Sequence, residues 1–244
     1  MHASFDATGD VLVVTGGANG IGAALASAYA DAGGTAAVFD VERGVDHPTG
    51  RVHHYQVDVA DRDRVFAAVA EVRAEYGRID ALVAGAAIQP RVNVVDTDPQ
   101  LWRRAMAINL DGVVWCAQAV LPEMISRRSG AILVFGSGLG NAGHAQASAY
   151  AASKAALAAF AKSLAAEVAP HRIRVNTVFP GVIDTEQFRA ANPPGGERER
   201  WERTIGIGAP EDVVGPLMFL LSPAATMTGS TLTRDRAFSR RDLS

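Results

Sequence analysis

Two side chains in the stretch SAYAASKAAL can carry proton chemistry: Tyr150 and Lys154, set one helical turn apart among alanines. Residues at that spacing share a helix face. A phenol ordinarily ionises near ~10, too high for a base at neutral pH, and a neighbouring cation favours the phenolate. Proton transfer is the chemistry expected of such a pair. A second candidate is TGGANGIG, residues 15–22, where Gly16, Gly20 and Gly22 lie between an apolar run and a helical pattern. Glycines there permit a tight turn, close approach of backbone to phosphate and close helix–strand packing. The N–H groups of Gly20, Ile21 and Gly22 open a helix whose positive dipole end suits a pyrophosphate. Asp40 ends the next apolar run, about where a carboxylate would bind the hydroxyls of an adenosine ribose. It would repel a 2′-phosphate, which favours NAD(H) over NADP(H); Asn19 is neutral and adds no phosphate clamp, whereas Arg43 nearby works the other way. Asp58, in QVDV, either accepts from an adenine amine or caps the next helix.

These residues need a frame that brings distant segments together. Short apolar runs at 11–15, 35–40, 52–57, 81–85, 131–136 and 173–179 read as strands, with a short seventh at 230–233. Between them, 21–32, 61–76, 99–125, 148–169 and 210–221 read as helices; Asp98 is a candidate N-cap with Pro99 in first position. The alternation predicts an α/β fold: a three-layer, doubly wound, Rossmann-like parallel sheet of about seven strands with helices on both faces. The link 41–51 contains HPTG and cannot hold a helix, so strands two and three are joined by a short crossover. The polar segment 192–203 reads as a loop or a short helical lid. No repeat or linker divides the chain, and 1–244 is expected to be one dinucleotide-binding domain that also carries the catalytic site.

Composition narrows the function. The chain has 244 residues, 48% hydrophobic, with a formal net charge of −3, which does not suit a nucleic-acid partner. The single cysteine, Cys116, sits in apolar VVWCAQAV and is expected to pack. MHASFDATGD lacks a basic segment followed by an apolar run, and no apolar run approaches the ~18–20 residues of a membrane span. A cytoplasmic protein without a membrane partner is expected. His53 and His54 point to opposite faces of a strand, and no metal site is expected.

With these residues in hand, the chain resembles the short-chain dehydrogenase/reductase family over nearly its whole length. TGGANGIG matches the family's T-G-x-x-x-G-x-G, INLDG its Asn-containing helix motif, AILVFGSGLG its serine strand, and RVNTVFPGVIDT its P-G-x-x-x-T turn. Ser137 stands at the family distance before Y-x-x-x-K, and GAPEDVVGPLMFLLSPAATMTG matches the late helix. The resemblance implies an NAD-dependent enzyme, with a secondary alcohol, cyclic diol or ketone as substrate and a homodimer or homotetramer as the assembly. It implies that Tyr150 exchanges the substrate proton, Ser137 steadies the substrate oxygen, Lys154 also holds the nicotinamide ribose, and Asn109 holds a water linking Lys154 to solvent. It adds Val59, Ala84, Gly85, Pro180, Gly181, Ile183 and Thr185 to the cofactor site. Taken singly, Tyr150 could be a packing residue, Lys154 a solvated charge, Ser137 a turn former and Asn109 a helix-bending residue; the joint spacing favours the site.

Two departures stand out. Where the family has Asn-Asn-Ala-Gly after strand four, this chain has Ala84, Gly85, Ala86 and Ala87, without the two amides that would brace the sheet and cofactor loop. Where it has V-D-G-G, this chain has Arg234, Asp235, Arg236 and Ala237, read as the start of a solvated tail. These changes keep open a cofactor-binding role with little turnover, besides an NADP(H)-dependent ketoreductase. Substrate contacts are expected from Gln89 and Arg91, then Gly138, Leu139 and His144, then Gln187. Arg91 either pairs with a carboxylate substrate or is a surface arginine.

Overall fold

The computed structural model describes residues 4–234. Valine-rich VLVVT forms strand β1 (Val11–Thr15), buried along its whole length, as strands covered on both faces must be. Helix α1 (Gly20–Asp31) follows, then β2 (Thr35–Asp40) and β3 (Val52–Gln56), joined without an intervening helix as the HPTG sequence required. Helix α2 (Arg62–Tyr76) starts on Asp61, whose side chain accepts from the Arg64 N–H, and stops on left-handed Gly77. Next come β4 (Ala81–Ala84), α3 (Pro99–Met106), a π-helical turn at 107–111, α4 (Gly112–Arg127) and β5 (Gly130–Phe135). The chain continues through α5 (Gly138–Ala142), α6 (Ser148–Val168) and β6 (Ile173–Phe179), then α7 (Glu186–Ala191), α8 (Gly196–Thr204), α9 (Glu211–Leu221) and β7 (Thr231–Thr233).

The seven strands are all parallel, in the order β3-β2-β1-β4-β5-β6-β7. This is the expected doubly wound, Rossmann-like sheet. One face packs α2, α4 and α6 through residues such as Val69, Val120 and Leu157. The other packs α1 and α9 through Leu25 and Leu217. The order reverses between β1 and β4, which opens a crevice at their C-terminal ends, where ligands of such sheets bind.

Three expectations need correction. The helix expected at 99–125 runs to Arg127 and contains the π turn. Although no run in the sequence suggested a span, Pro99–Arg127 has the length and mean hydropathy of one; it lies over the sheet as a core helix instead. Arg234 is not a solvated start to a tail. Its N–H bonds the Phe179 carbonyl at 2.9 Å, and its guanidinium lies 3.6 Å from buried Asp212 with only 13% of the side chain exposed. The rest of that segment, Asp235 to Ser244, lies outside the described residues.

Candidate active site

A cleft of about 660 Å³ opens at the C-terminal edge of β1, β4, β5 and β6. It brings together Gly16, Asn19, Gly20, Ile21, Gly22, Asp40, Asp58, Val59, Gly85, Pro180, Gly181, Ile183 and Thr185 with Ser137, Tyr150 and Lys154. Gln89, Gly138, Leu139 and Gln187 line the same space. Of the other expected residues, Ala84 is buried in the sheet and Asn109 beneath the wall, while Arg91 and His144 stand behind the lid residue Asn192.

At the glycine turn, the backbone leaves no room for side chains. A Cβ on Gly22 would fall 2.3 Å from the Gly16 carbonyl oxygen, and one on Gly16 2.8 Å from the Ala86 backbone. Asn19 caps α1 with no side-chain bond to the helix; its Nδ2 donates instead to Glu42 Oε2 at 3.2 Å. The first-turn N–H groups of α1 are thereby left for a ligand anion. Asp40 is anchored by the N–H groups of Ala18 (3.0 Å) and Glu42 (3.2 Å). Glu42 also lines the cleft, while Arg43 turns away to Asp46 at 3.2 Å. Beside them Asp58 receives the Arg104 guanidinium at 2.6 Å and the Ala60 N–H at 3.0 Å. Burial opposes ionisation of Asp58, but those two donors more than offset it and hold the carboxyl below its ordinary range. The glycine cradle, the acids at Asp40 and Asp58 and the cleft of about 660 Å³ fit a dinucleotide.

The loop after β4 is braced in spite of its missing amides. Thr15, buried at the end of β1, accepts the N–H groups of both Gly85 and Ala86 on Oγ1, each at 3.1 Å. Asn109, in the π turn, grips the next stretch: Oδ1 accepts Ile88 N–H at 2.8 Å, and Nδ2 donates to Ile88 O at 2.9 Å and Ser153 Oγ at 3.1 Å. The Asn109 side chain therefore clamps the loop to α6.

Ser137, two residues beyond β5, caps α5 by accepting the Leu139 N–H at 3.2 Å; its own hydroxyl proton is thereby free to face Tyr150. Lys154 is buried, and burial pulls its ammonium down to about 8. Its Nζ donates to the Phe135 carbonyl at 2.7 Å and lies 5.7 Å from the Tyr150 ring centroid. Burial raises the Tyr150 phenol, opposed by the hydroxyl of Ser137 and the guanidinium of Arg91. The Lys154 ammonium thus lies beside the Tyr150 ring while it donates to Phe135, and the Arg91 guanidinium favours the phenolate.

Helices α7 and α8 cover the substrate end. Thr185 caps α7 by accepting the Phe188 N–H at 3.1 Å, and Phe188 and Trp201 bring their rings to 5.7 Å. The segment 192–203 is thus in part the short helical lid. Sequence reasoning missed Thr15, Glu42, Arg104, Asn192 and Trp201 as parts of the site. Only the pairing of Asp40 with a second acid at Glu42 left a readable signal. Among the described residues no group of three or more His, Cys, Asp or Glu side chains converges on a metal position, and burial pushes the Cys116 thiol up to about 12, which makes it a packing residue.

A parallel sheet with a phosphate-ready turn at its switch point, and a hydroxyl, phenol and ammonium across the same cleft, defines a nucleotide-dependent oxidoreductase of alcohols and ketones. The family model described as short chain dehydrogenase matches residues 10–194, and the chain belongs to that family. It is 37% identical over 241 residues to the cis-4-hydroxycyclohexanecarboxylate dehydrogenase of Sinomonas cyclohexanicum, covering 94% of this chain and 96% of that one. It is 36% identical to the D-threitol dehydrogenase of Mycolicibacterium smegmatis, covering 96% and 95%. A short-chain type dehydrogenase/reductase from Mycobacterium marinum superposes with a TM-score of 0.87 at 32% identity, covering 95% and 96%.

Proposed function

We propose that this chain is an NAD-dependent dehydrogenase or ketoreductase acting on a secondary alcohol, cyclic diol or ketone. One domain both binds the dinucleotide and carries the chemistry. The observation that carries the reading is Tyr150 facing Ser137 in the cleft that the glycine turn opens. Ser137, its Oγ held by Leu139, donates its proton to the substrate oxygen and orients it beside Tyr150. Tyr150 takes the hydroxyl proton in oxidation and returns one in reduction. Lys154, with an ammonium poised at about 8, holds the ribose hydroxyls and passes the proton onward. Asn109 acts as a positioning residue by fixing Ile88 and α6. Bound nicotinamide supplies or accepts the hydride.

Asp40 and Glu42 support NAD(H), because two carboxylates at the ribose end oppose a 2′-phosphate and Arg43 is paired away from it. The relatives named for cis-4-hydroxycyclohexanecarboxylate and D-threitol support an alcohol substrate. We place the protein in the cytoplasm as a homodimer or homotetramer; exposed alanines along α6, among them Ala152, Ala155 and Ala159, suit close helix packing, and light scattering reads the mass.

The test is NAD and NADP reduction on a panel of secondary alcohols and diols, with Tyr150→Phe alongside. The variant should lose about 10²–10⁴-fold in turnover while still binding NADH. Undiminished turnover in Tyr150→Phe would remove the mechanism, cofactor binding with no turnover on any substrate would favour the binding role, and tighter binding of NADPH than NADH would overturn the cofactor assignment.

A further inference from the structure

Arg91 sits in the loop after β4 as a partly buried cation that meets an imidazole nitrogen, a backbone carbonyl and a side-chain amide. Nη1 donates to His144 Nδ1 at 2.6 Å and, weakly, to the Ala145 carbonyl at 3.5 Å; Nη2 donates to Asn192 Oδ1 at 2.8 Å. A guanidinium has no acceptor, so His144 Nδ1 must be the acceptor here, and its 2.7 Å approach to Ala145 O is a contact rather than a hydrogen bond. Among the described residues no carboxylate pairs with Arg91. Its Nε is enclosed with no acceptor at all. Of the five guanidinium N–H groups, Nε–H and one on Nη2 remain uncommitted. A buried cation in this condition is unfavourable unless an anion completes it, and a carboxylate with its two oxygens matches such a pair of donors.

The position is fixed from several sides. The Val92 N–H bonds the Gln146 carbonyl at 2.8 Å, and Gln146 holds a left-handed φ of 64°, an arrangement that only a constraining surround maintains. Asn192, 3% exposed, both lines the cleft and anchors its own Nδ2 on the Phe188 carbonyl at 2.9 Å. It is the neutral acceptor between Arg91 and the reacting end, and it belongs to the lid. Leu139, Phe188 and Trp201 make the neighbouring walls apolar. The space thus suits a hydrocarbon frame with an anion at one end and the reacting hydroxyl at the other.

We propose that Arg91 is a substrate-binding residue that selects hydroxy acids or keto acids, the substrate carboxylate displacing Asn192 Oδ1 and taking the free N–H groups of Nε and Nη2. This deepens the dehydrogenase reading and rests on it. The proximity that lets Arg91 favour the Tyr150 phenolate also has a consequence: the bound carboxylate weakens that influence, so acids and neutral alcohols should differ in the pH profile of kcat.

The test is calorimetry with cyclohexanecarboxylate and cyclohexanecarboxamide, with and without saturating NADH, on the wild type, Arg91→Gln and Arg91→Lys. The carboxylate should bind the wild type at least tenfold tighter than the amide. Arg91→Gln should bring the ratio near one, and Arg91→Lys should keep part of it. Equal binding of the two ligands to the wild type, no carboxylate binding, or a ratio that survives in Arg91→Gln would each overturn the proposal. So would a parallel loss of both ligands in Arg91→Gln, the mark of a structural prop. The wild-type ratio stands even where a variant fails to fold. Turnover of neutral alcohols is read separately, so loss of the dehydrogenase reading and loss of the carboxylate site are distinguishable.

Discussion

Lys154 holds its charge against its surroundings. The side chain is buried, its ammonium donates to the Phe135 carbonyl, and burial lowers it to about 8. An unfolded lysine ionises near ~10.4. Between those values the unfolded chain binds a proton that the folded chain has released, so this group makes stability rise with pH across that window. Below about 8 both states are protonated, and the burial penalty is present in full. Replacement by Met removes the titration. The stability of the cofactor-free wild type relative to Lys154→Met should therefore improve as pH rises from about 8 to about 10.5, by at most roughly 3 kcal/mol. Chemical denaturation of both proteins across that range checks it, and parallel curves would show that the ammonium is solvated. The pair Tyr150 and Lys154 was legible from type and spacing alone. What the ammonium touches was not, because Phe135 is distant in sequence and contributes only its backbone.

At the scale of elements, the strands were legible because buried parallel strands are short apolar runs, and β6 at IRVNTVF coincides with its expected bounds. The π turn and α5 were not. A π turn keeps the apolar pattern of its flanking helix, and GLGNA is too short and glycine-rich to show periodicity. The brace of the β4 loop was equally hidden, since it rests on the hydroxyl of Thr15, a residue that reads as an ordinary strand end. That hydroxyl takes the N–H groups of Gly85 and Ala86 in a buried place. Gly85 has a second acceptor in the Thr15 carbonyl at 3.2 Å, whereas among the described residues Ala86 has only the Thr15 hydroxyl. Thr15→Val keeps the shape and strands that donor, at about 1–3 kcal/mol. The variant should melt lower and show a raised KM for the dinucleotide with a smaller change in kcat, whereas Thr15→Ser should recover most of both. Wild-type KM and melting in Thr15→Val would show that the loop is held elsewhere.

The whole molecule joins its two core layers through one crevice, and a dinucleotide lying there would touch loops from β1, β2, β4, β5 and β6. A ligand that binds only the folded chain stabilises it by mass action, about 2.7 kcal/mol at a hundred times its Kd. For a chain of this size, that is a rise of about 5–10 °C in Tm. The rise should be large for NADH and small for NADPH at equal concentration, because Asp40 and Glu42 border the same end of the cleft and Arg43 is engaged by Asp46. Asp40 also accepts the backbone N–H groups of Ala18 and Glu42, so its removal weakens the cofactor-free protein as well. The informative quantity is therefore each protein's shift from its own cofactor-free Tm. In Asp40→Ala that shift should shrink for NADH and grow relative to it for NADPH, since on the proposed reading this carboxylate holds ribose hydroxyls and repels a 2′-phosphate. Equal shifts for the two cofactors in the wild type would mean that the acids at this rim do not discriminate, and the substrate end alone would then carry the selectivity of the enzyme.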